Sequence, residues 1–377
     1  MIRRLTAAIL FLILTAPAGF AEILIGAAGP LQGQYAAFGE QLRRGAQLAV
    51  DDINATGGLN GEPLKLEMAD DGCEPRQAVD VATRLVAKGV KFVAGHYCSG
   101  SSIPASKIYE AAGVVQISPA STNPKFTDDG GWNVHRVCTR DDAQGGFAGR
   151  FIATQDRGRK IAILADQSVY GQSLAGAARA AIRAAGLAET LFESYTAGAK
   201  DYGELVLKLR AAAIEVVYLG GYHTEAALIL RQMRELGLSA QLIGGDALVT
   251  DEFWVGARDA GEGTLMTFAP DPQQIAAALP SVERFKAGGY NPEGFTLHAY
   301  AAVQAWVQAA QATGGTDSRK IAEWLRAGNL LKTVIGDIAL DGKGDVKEPR
   351  YTWFRWSEGK YAEDESLNQA SLTPPSR

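Results

Sequence analysis

The feature that most constrains the fold of this chain is a regular alternation of short β-rich runs with segments of helical periodicity. The alternation begins with a strand-like run at Ile23–Ala27, and apolar residues at helical spacing then extend from Phe38 to Ile53. The next strand-like runs are residues 64–68, 91–95 and 114–117, and the helical segments between them are residues 76–88 and 102–112. This βαβα order predicts a parallel sheet with helices on both faces.

The same alternation starts again after about residue 140. Its strand-like runs are residues 160–165, 191–195, 216–219, 241–244 and 264–268, and its helical segments are residues 171–185, 202–213 and 224–236. Two consecutive α/β units without obvious sequence repetition predict two α/β domains. The length of the chain agrees, since more than 350 residues are too many for one ordinary core.

The residues after about 270 do not predict a third domain. They contain two helical segments, 295–312 and 318–327, and two strand-like runs, 335–340 and 351–356, which we interpret as additions to the two earlier sheets. The predicted N-terminal lobe is therefore residues 22–139 with 270–340, and the predicted C-terminal lobe is residues 140–269 with 341–377. Such a chain crosses between its lobes three times, which makes a hinge, and hinged pairs of α/β domains bind ligands in the cleft between them.

The first 21 residues predict a secretory signal peptide that is cleaved after Ala21. Arg3 and Arg4 precede an apolar run, and small residues occupy the −3 and −1 positions, Gly19 and Ala21. The apolar run is shorter than the ~20 residues that a membrane span requires. No Cys follows the cleavage position, so a lipid anchor is not indicated. We therefore expect a soluble, exported protein.

The charge and motif content exclude several classes of function. Without its first 21 residues the chain carries 35 basic and 42 acidic residues, and this acidic balance argues against nucleic acid as a partner. The four histidines, His96, His135, His223 and His298, lack metal-site spacing, and no nucleotide-binding glycine motif or nucleophile elbow occurs. His96 and His223 follow strand-like runs, where a histidine could act as a catalytic base. We favour a helix-capping role or a position at the rim of the site for both residues. The sequence thus offers no assembled catalytic set and no metal-binding motif.

Three cysteines, Cys73, Cys98 and Cys138, predict one disulfide and one free thiol in an exported protein. The sequence allows all three pairings. Cys73 and Cys98 each follow a strand-like run and could lie at neighbouring strand ends. Cys138 belongs to an alternating run and is typical of a small buried hydrophobic residue.

Polar or aromatic turns follow the strand-like runs, at the edge of an α/β sheet where ligands bind. These turns are residues 96–102, 118–124, 166–171, 220–224 and 244–246. Their chemistry suits an amino acid, because helix N-termini with the hydroxyls of Ser99 or Ser121–Thr122 can hold a carboxylate and Asp246 can pair with an ammonium. Tyr97, Tyr170 and Tyr222 can wall an apolar side chain. Helix capping is the alternative role for the Ser, Thr and Asp residues.

Several separated motifs resemble the leucine/isoleucine/valine-binding proteins of ABC transporters, in the order found in that family. The motifs are DDGCEPRQA at 70–78, GHYCSGSS at 95–102, SPAST at 118–122, Tyr170-Gly171 and GGYH at 220–223, and the resemblance runs from about Glu22 to Trp356. It implies a type I periplasmic binding protein fold, with two doubly wound parallel-sheet α/β domains joined by a three-strand hinge. It also implies a monomeric periplasmic protein that needs no cofactor and delivers an L-amino acid to an inner-membrane ABC permease.

The resemblance also implies roles for particular residues. The ligand carboxylate would contact Ser99, Thr122 and the backbone around Ala120, with Ser121 in the same turn. The ammonium would contact Asp246 and the Ala120 carbonyl. The side chain would lie against an aromatic wall, and the residues lining it would be Tyr170, Tyr222, Tyr97, Cys98 and Phe38. The implied disulfide is Cys73–Cys98.

This chain departs from the family pattern in two places that affect ligand specificity. Phe38 stands where the family often has Tyr or Trp, and Asp246 stands where it commonly has the longer Glu. The family pattern as a whole still favours Leu, Ile or Val as the ligand. The alternative function is a ligand-sensing or amide-binding receptor on the same fold, because fold alone does not fix function.

Overall fold

The computed structural model describes residues 22–372. The predicted signal peptide, residues 1–21, lies outside the described residues. From Glu22 to Leu372, no helix combines the length and the apolar character needed to cross a membrane.

The first sheet contains five parallel strands in the order β2-β1-β3-β4-β5. The strands are β1 (Ile23–Gly29), β2 (Leu64–Asp70), β3 (Phe92–Gly95), β4 (Val115–Ser118) and β5 (Val134–Arg136), and the helices among them are α1 (Ala36–Ala55), α2 (Pro75–Ala87), α3 (Ser99–Ala112) and the short α4 (Lys125–Asp128). Ile25, Phe92 and Ile117 are fully buried in this layer. The predicted parallel sheet of the first unit is confirmed.

The second sheet begins after α5 (Asp141–Gln155), a helix that the sequence pattern did not predict. Its parallel part is formed by β6 (Ile161–Asp166), β7 (Leu191–Tyr195), β8 (Val216–Gly220), β9 (Gln241–Gly244) and β10 (Leu265–Phe268), with helices α6 (Val169–Ala184), α7 (Gly203–Ala211), α8 (His223–Glu235) and α9 (Asp251–Ala257). Gly145, Gly146 and Gly149 weaken the helical signal of α5. Gly145 and Gly149 also allow close packing on α6, since a Cβ on Gly145 would lie 2.6 Å from the Leu174 carbonyl oxygen and one on Gly149 would lie 2.5 Å from the Ala178 carbonyl oxygen.

The C-terminal part adds helices to the first layer and strands to the second. Its elements are α10 (Leu279–Ala287), α11 (Thr296–Thr313), α12 (Ser318–Arg326), β11 (Leu331–Thr333), β12 (Gly336–Ile338), β13 (Thr352–Ser357), β14 (Lys360–Glu363) and α13 (Glu365–Leu372). Helix α11 packs beneath the first sheet, where the ring of Trp306 stacks on Phe92 with centroids 5.1 Å apart. Strands β13 and β14 extend the second sheet antiparallel, which gives it the order β14-β13-β10-β9-β8-β6-β7.

One expectation for this part was wrong. The strand-like run at 335–340 does not extend either large sheet, because β12 pairs only with β11 in a separate antiparallel hairpin. Local hydrogen bonds account for the difference: the Thr333 hydroxyl donates to the Gly336 carbonyl across the turn at 2.7 Å. The Gln308 side chain of α11 also donates to the Lys332 carbonyl at 2.9 Å, which holds the hairpin against that helix.

The chain passes between the two sheets three times, between β5 and β6, between β10 and α11, and between β12 and β13. The first and third passages contact each other directly. The Tyr351 hydroxyl donates to the Arg140 carbonyl at 2.7 Å and accepts from the Arg140 N–H at 3.1 Å. The fold is therefore the two-sheet α/β architecture with three connecting segments that the sequence predicted, with an antiparallel edge on the second sheet.

Candidate functional site

A small cavity lies where the carboxyl ends of strands from both sheets face each other. Its free space is only about 10 Å³, close to the minimum that holds one water molecule. The residues that line it are Phe38, Tyr97, Cys98, Ser99, Ala120, Tyr170, Tyr222, Asp246, Ala247 and Phe295. Eight of the ten site residues expected from the sequence are among them, whereas Ser121 and Thr122 are not.

The first wall of the cavity is the N-terminus of α3. Cys98 is the capping residue and Ser99 begins the helix, so the free N–H groups of the first turn lie at this end. The Ser99 hydroxyl accepts a hydrogen bond from the Asn123 N–H at 3.2 Å, which joins this turn to the one after β4. A disulfide between Cys73 and Cys98 anchors the turn from behind, with Cα atoms 5.5 Å apart, and Cys138 is the free cysteine. The pairing implied by the family resemblance is confirmed.

His96 supports the same turn from the interior. Its Nδ1 lies 2.6 Å from Asp71 Oδ2 and its Nε2 lies 2.9 Å from the Tyr109 hydroxyl, and all three side chains are fully buried. Its carbonyl accepts hydrogen bonds from the hydroxyls of Ser118 and Ser121, at 2.7 and 3.2 Å. His96 is therefore a buried structural residue, which corrects the expectation of a capping or rim position.

Ser121 and Thr122 lie behind the cavity surface in the turn after β4. The Ser121 hydroxyl contacts the turn before α3, where it also donates to the Tyr97 carbonyl at 3.0 Å. The Thr122 carbonyl accepts from the Asp141 N–H at 2.9 Å, where α5 begins. Both residues are almost completely buried, so they hold the turn whose Ala120 reaches the cavity.

The opposite wall carries Asp246, which begins a short 3-10 turn after β9. Asp246 is 6 % exposed, and burial raises the pKa of its carboxyl to about 6. The Tyr170 hydroxyl donates to Asp246 Oδ1 at 2.8 Å. Gly245 permits this approach, because a Cβ there would lie 2.5 Å from Leu174 Cδ2 and 3.1 Å from the Tyr170 hydroxyl.

Asp141 is a second buried carboxylate near Asp246 that sequence reasoning missed. It is fully buried at the first position of α5, and neither carboxylate oxygen has a hydrogen bond of good geometry among residues 22–372. Burial raises the pKa of Asp141 to about 7, although the hydroxyls of Thr122 and Ser173 favour its ionised form; the charge of Asp246 raises it further. The sequence pattern did not identify Asp141 because the glycines of α5 weaken the periodicity of the helix that begins at this residue.

Aromatic rings form most of the remaining surface. Phe38 stacks on Tyr97 with centroids 4.8 Å apart, and Tyr170 lies 5.1 Å from Tyr222. Phe295, which sequence reasoning also missed, packs edge-on against Tyr97 at 5.8 Å. It lies in the second passage between the sheets, where the sequence showed only the start of a helix.

Two buried residues complete the surroundings of this aromatic wall. The Gln41 side-chain oxygen accepts from the Tyr97 hydroxyl at 2.7 Å and from the Phe295 N–H at 3.0 Å, which joins the Tyr97 ring to the backbone of Phe295. The ring of His223 lies edge-on to Phe38 at 4.8 Å, and burial lowers the pKa of His223 to about 4. His223 is thus a neutral packing residue in the first turn of α8, not a rim residue.

Direct contacts between the two halves surround the cavity. The Asn123 amide donates to the Val169 carbonyl at 2.9 Å, and the Thr224 hydroxyl donates to the Gln34 carbonyl at 3.3 Å. The ring of Tyr35 lies 4.7 Å from Tyr222. Hydrogen-bonding groups that can bind an anion therefore face a buried acid across an apolar space. Both halves of the molecule enclose that space.

Comparison with known proteins agrees with this architecture. Residues 22–360 match the periplasmic binding protein family, and the chain belongs to that family. An amino acid binding protein of Pseudomonas aeruginosa is 47% identical over 345 residues, covering 90% of this chain and 92% of the relative. The Leu/Ile/Val-binding protein homolog 2 of Brucella abortus is 45% identical over 341 residues, with the same coverage of 90% and 92%.

A solved structure extends the comparison to three dimensions. The branched-chain amino acid transporter substrate binding protein LivJ of Streptococcus pneumoniae, in complex with isoleucine, is 26% identical and superposes with a TM-score of 0.83. The superposition covers 91% of this chain and 99% of that one. The type I periplasmic binding protein fold is confirmed, and so is the prediction that the chain is a binding protein and not an enzyme, since the family consists of solute-binding proteins.

Proposed function

We propose that this protein is the periplasmic substrate-binding component of an ABC importer and that it binds an L-amino acid with an aliphatic side chain, with Leu, Ile and Val as the favoured ligands. One observation carries the proposal: the buried carboxylate of Asp246 and the N-terminus of α3 at Ser99 lie on opposite walls of one cavity. The names of the relatives and the isoleucine bound to the Streptococcus pneumoniae protein support the same ligand class.

The two charged ends of the ligand would bind to different walls. The carboxylate accepts hydrogen bonds from the N–H groups at the start of α3, from the Ser99 hydroxyl and from the turn that contains Thr122, because a helix N-terminus favours negative charge. The ammonium pairs with Asp246 and donates to the Ala120 carbonyl. Tyr170 already donates to Asp246 at 2.8 Å, so its hydroxyl stabilises the ionised acid that the ammonium needs.

The aliphatic side chain would lie in the aromatic part of the cavity, against Phe38, Tyr97, Tyr222 and Phe295. Because the free space is only about 10 Å³, the halves must separate to admit a ligand and close again around it. The proposed lobes are residues 22–139 with 270–340 and residues 140–269 with 341–377. The ligand stabilises the closed state by its difference in affinity for the two states, and the closed form is the one that an inner-membrane permease would recognise.

The export and assembly of the protein belong to the same proposal. The segment of residues 1–21 directs the chain to the periplasm and is removed after Ala21, and the mature protein works as a monomer. Cys73–Cys98 suits that compartment, since structural disulfides persist in oxidising environments.

A thermal-shift screen of residues 22–377 against the twenty L-amino acids, D-leucine and simple amides tests the ligand class. Leu, Ile or Val should raise the melting temperature, because a ligand that binds only the native state stabilises it by mass action. D-Leucine should not, since its inverted centre cannot place all three groups at once. A shift with amides or organic acids, and none with amino acids, would contradict the proposal and favour a sensing or amide-binding receptor.

A further inference from the structure

A fully buried arginine lies directly behind the turn that contains Ala120, Ser121 and Thr122. The guanidinium of Arg136 donates from Nη1 to the Ser121 carbonyl at 2.5 Å and from Nη2 to the Asn123 carbonyl at 2.9 Å. The same Nη2 lies 2.9 Å from the Thr127 hydroxyl. One side chain therefore fixes the direction of two carbonyl groups in one short turn, which the planar fork of a guanidinium is suited to do.

The orientation of these carbonyls decides the orientation of the neighbouring N–H groups. A trans peptide unit is planar, so the N–H of Thr122 points away from the direction of the Ser121 carbonyl. Because that carbonyl points to Arg136, the Thr122 N–H points away from the guanidinium. The remaining N–H groups of the turn have partners in neighbouring turns: those of Ala120 and Ser121 donate to the Ser118 hydroxyl at 3.3 and 2.9 Å, and that of Asn123 donates to the Ser99 hydroxyl at 3.2 Å.

The counter-ion of Arg136 comes from a distant part of the chain. Asp345 lies between β12 and β13, in the third passage between the sheets, and its Oδ1 is 2.6 Å from Arg136 Nε. Its Oδ2 is 2.7 Å from Nη1 of Arg140, which lies in the first passage. The backbone of Arg136 also bonds to the segment that carries Asp345, because the Arg136 N–H donates to the Gly344 carbonyl at 2.9 Å.

We propose that Arg136 and Asp345 form a positioning pair that sets ligand affinity from outside the cavity by holding the turn of residues 120–123 in its binding geometry and fixing it to the passages between the lobes. The proposal rests on the proposed function, which makes that turn part of the carboxylate and ammonium site. A buried arginine that loses its counter-ion keeps an uncompensated charge, so the pair works as a unit. Asp345 is 225 residues from Ala120 in sequence, yet it acts on the turn through one intermediate side chain.

The test compares two substitutions with a matched control. Asp345→Asn removes the charge, and Arg136→Lys keeps a charge but loses the fork that reaches both carbonyls. Asp128→Asn is the control, because Asp128 belongs to the same ion cluster, 3.0 Å from Arg140 and 2.6 Å from Lys343, but it forms no ion pair with Arg136. Amide hydrogen exchange of peptides that cover residues 120–123 is measured on the ligand-free proteins, and the Kd for L-leucine is measured by calorimetry well below the melting temperature.

Both Arg136→Lys and Asp345→Asn should speed exchange in residues 120–123 and weaken leucine binding by about 5- to 30-fold, in the range of coupling carried by such networks. Asp128→Asn should change neither quantity, whatever its effect on melting. Unchanged exchange in both variants overturns the positioning role. Faster exchange with an unchanged Kd overturns the claim on affinity and leaves a purely structural pair.

Failure of the proposed function gives a different pattern. Wild-type protein that binds no amino acid refutes the ligand assignment, and it also refutes the affinity part of this inference. The exchange comparison on the ligand-free proteins still decides whether the pair holds the turn. A lower melting temperature in all three variants, with exchange and affinity equal to wild type, would assign the whole cluster to stability alone and overturn the proposal.

Discussion

Replacement of Asp246 removes the proposed counter-charge of the ligand ammonium. Asp246 is 6 % exposed, so an ion pair formed there is screened little by water. Loss of one partner of such a pair costs about 2–5 kcal/mol. The buried carboxylate of Asp141 remains nearby and retains part of the negative potential, so we expect about 2–4 kcal/mol for Asp246→Ala, which weakens the Kd by roughly 30- to 700-fold.

Calorimetry with L-leucine measures this loss. Asp246→Asn separates charge from shape, because asparagine keeps an oxygen that can accept the hydrogen bond from Tyr170; it should lose nearly as much affinity as alanine. Asp251→Asn is the control, since Asp251 is an exposed acid in the same part of the chain and does not line the cavity. Equal affinities in Asp246→Ala, Asp246→Asn and wild type would refute the assignment of Asp246 to the ammonium.

The pH dependence of binding tests the same residue without a substitution. Burial raises the pKa of Asp246 in the ligand-free site to about 6, and the ammonium requires the ionised form. Affinity should therefore fall as the pH is lowered through about 6. In Asp246→Asn this part of the pH dependence should disappear.

The remaining predictions concern stability, the thiols, the aromatic wall and closure. Burial raises the pKa of Asp141 to about 7, so protonation of its carboxyl stabilises the native state as the pH falls from 7.5 to 5.5, whereas the buried, neutral His135, His223 and His298 act in the opposite sense. Asp141→Asn removes only the first contribution, so its melting temperature at pH 5.5 minus that at pH 7.5 should be lower than the same difference in wild type, and an equal difference would contradict this. Alkylation of the denatured, unreduced protein should label Cys138 alone, and labelling at any other cysteine would contradict the pairing. Reduction of the disulfide should lower the free energy of unfolding by about 3–4 kcal/mol. Tyr222→Ala should weaken leucine binding by about 2 kcal/mol in calorimetry, because the ligand side chain loses apolar burial, and an unchanged Kd would remove Tyr222 from the site. Small-angle scattering with saturating leucine should give a smaller radius of gyration than the empty protein, whereas identical curves would exclude closure.

The sequence predicted those parts of the fold that depend on local pattern. Strand-like runs and helical periodicity located most elements of both sheets, because buried strands and amphipathic helices leave direct signatures. The failures occurred where tertiary contacts overrode the local pattern. Helix α5 was hidden by Gly145 and Gly149, which are poor helix formers that permit close packing on α6. The β11–β12 hairpin was misassigned because strand propensity does not specify a pairing partner.

The sequence also located those residues of the candidate site that follow a local pattern. Residues in turns directly after strands, such as Ser99, Tyr170 and Asp246, could be located because strand ends of a parallel sheet meet at one edge. Phe295 and Asp141 reach the same region from a passage between the sheets and from an unpredicted helix. Neither follows a strand-like run directly, so only the three-dimensional arrangement brings Phe295 to the cavity wall and Asp141 near Asp246.

A crystal structure of the protein with bound L-leucine tests the central claim most directly. We predict that the leucine ammonium lies within hydrogen-bond distance of Asp246 and the Ala120 carbonyl, and that its carboxylate contacts the Ser99 hydroxyl and the first turn of α3. The side chain should contact Phe38, Tyr222 or Phe295. A leucine bound outside this cavity, or bound with its carboxylate toward Asp246, would contradict the account.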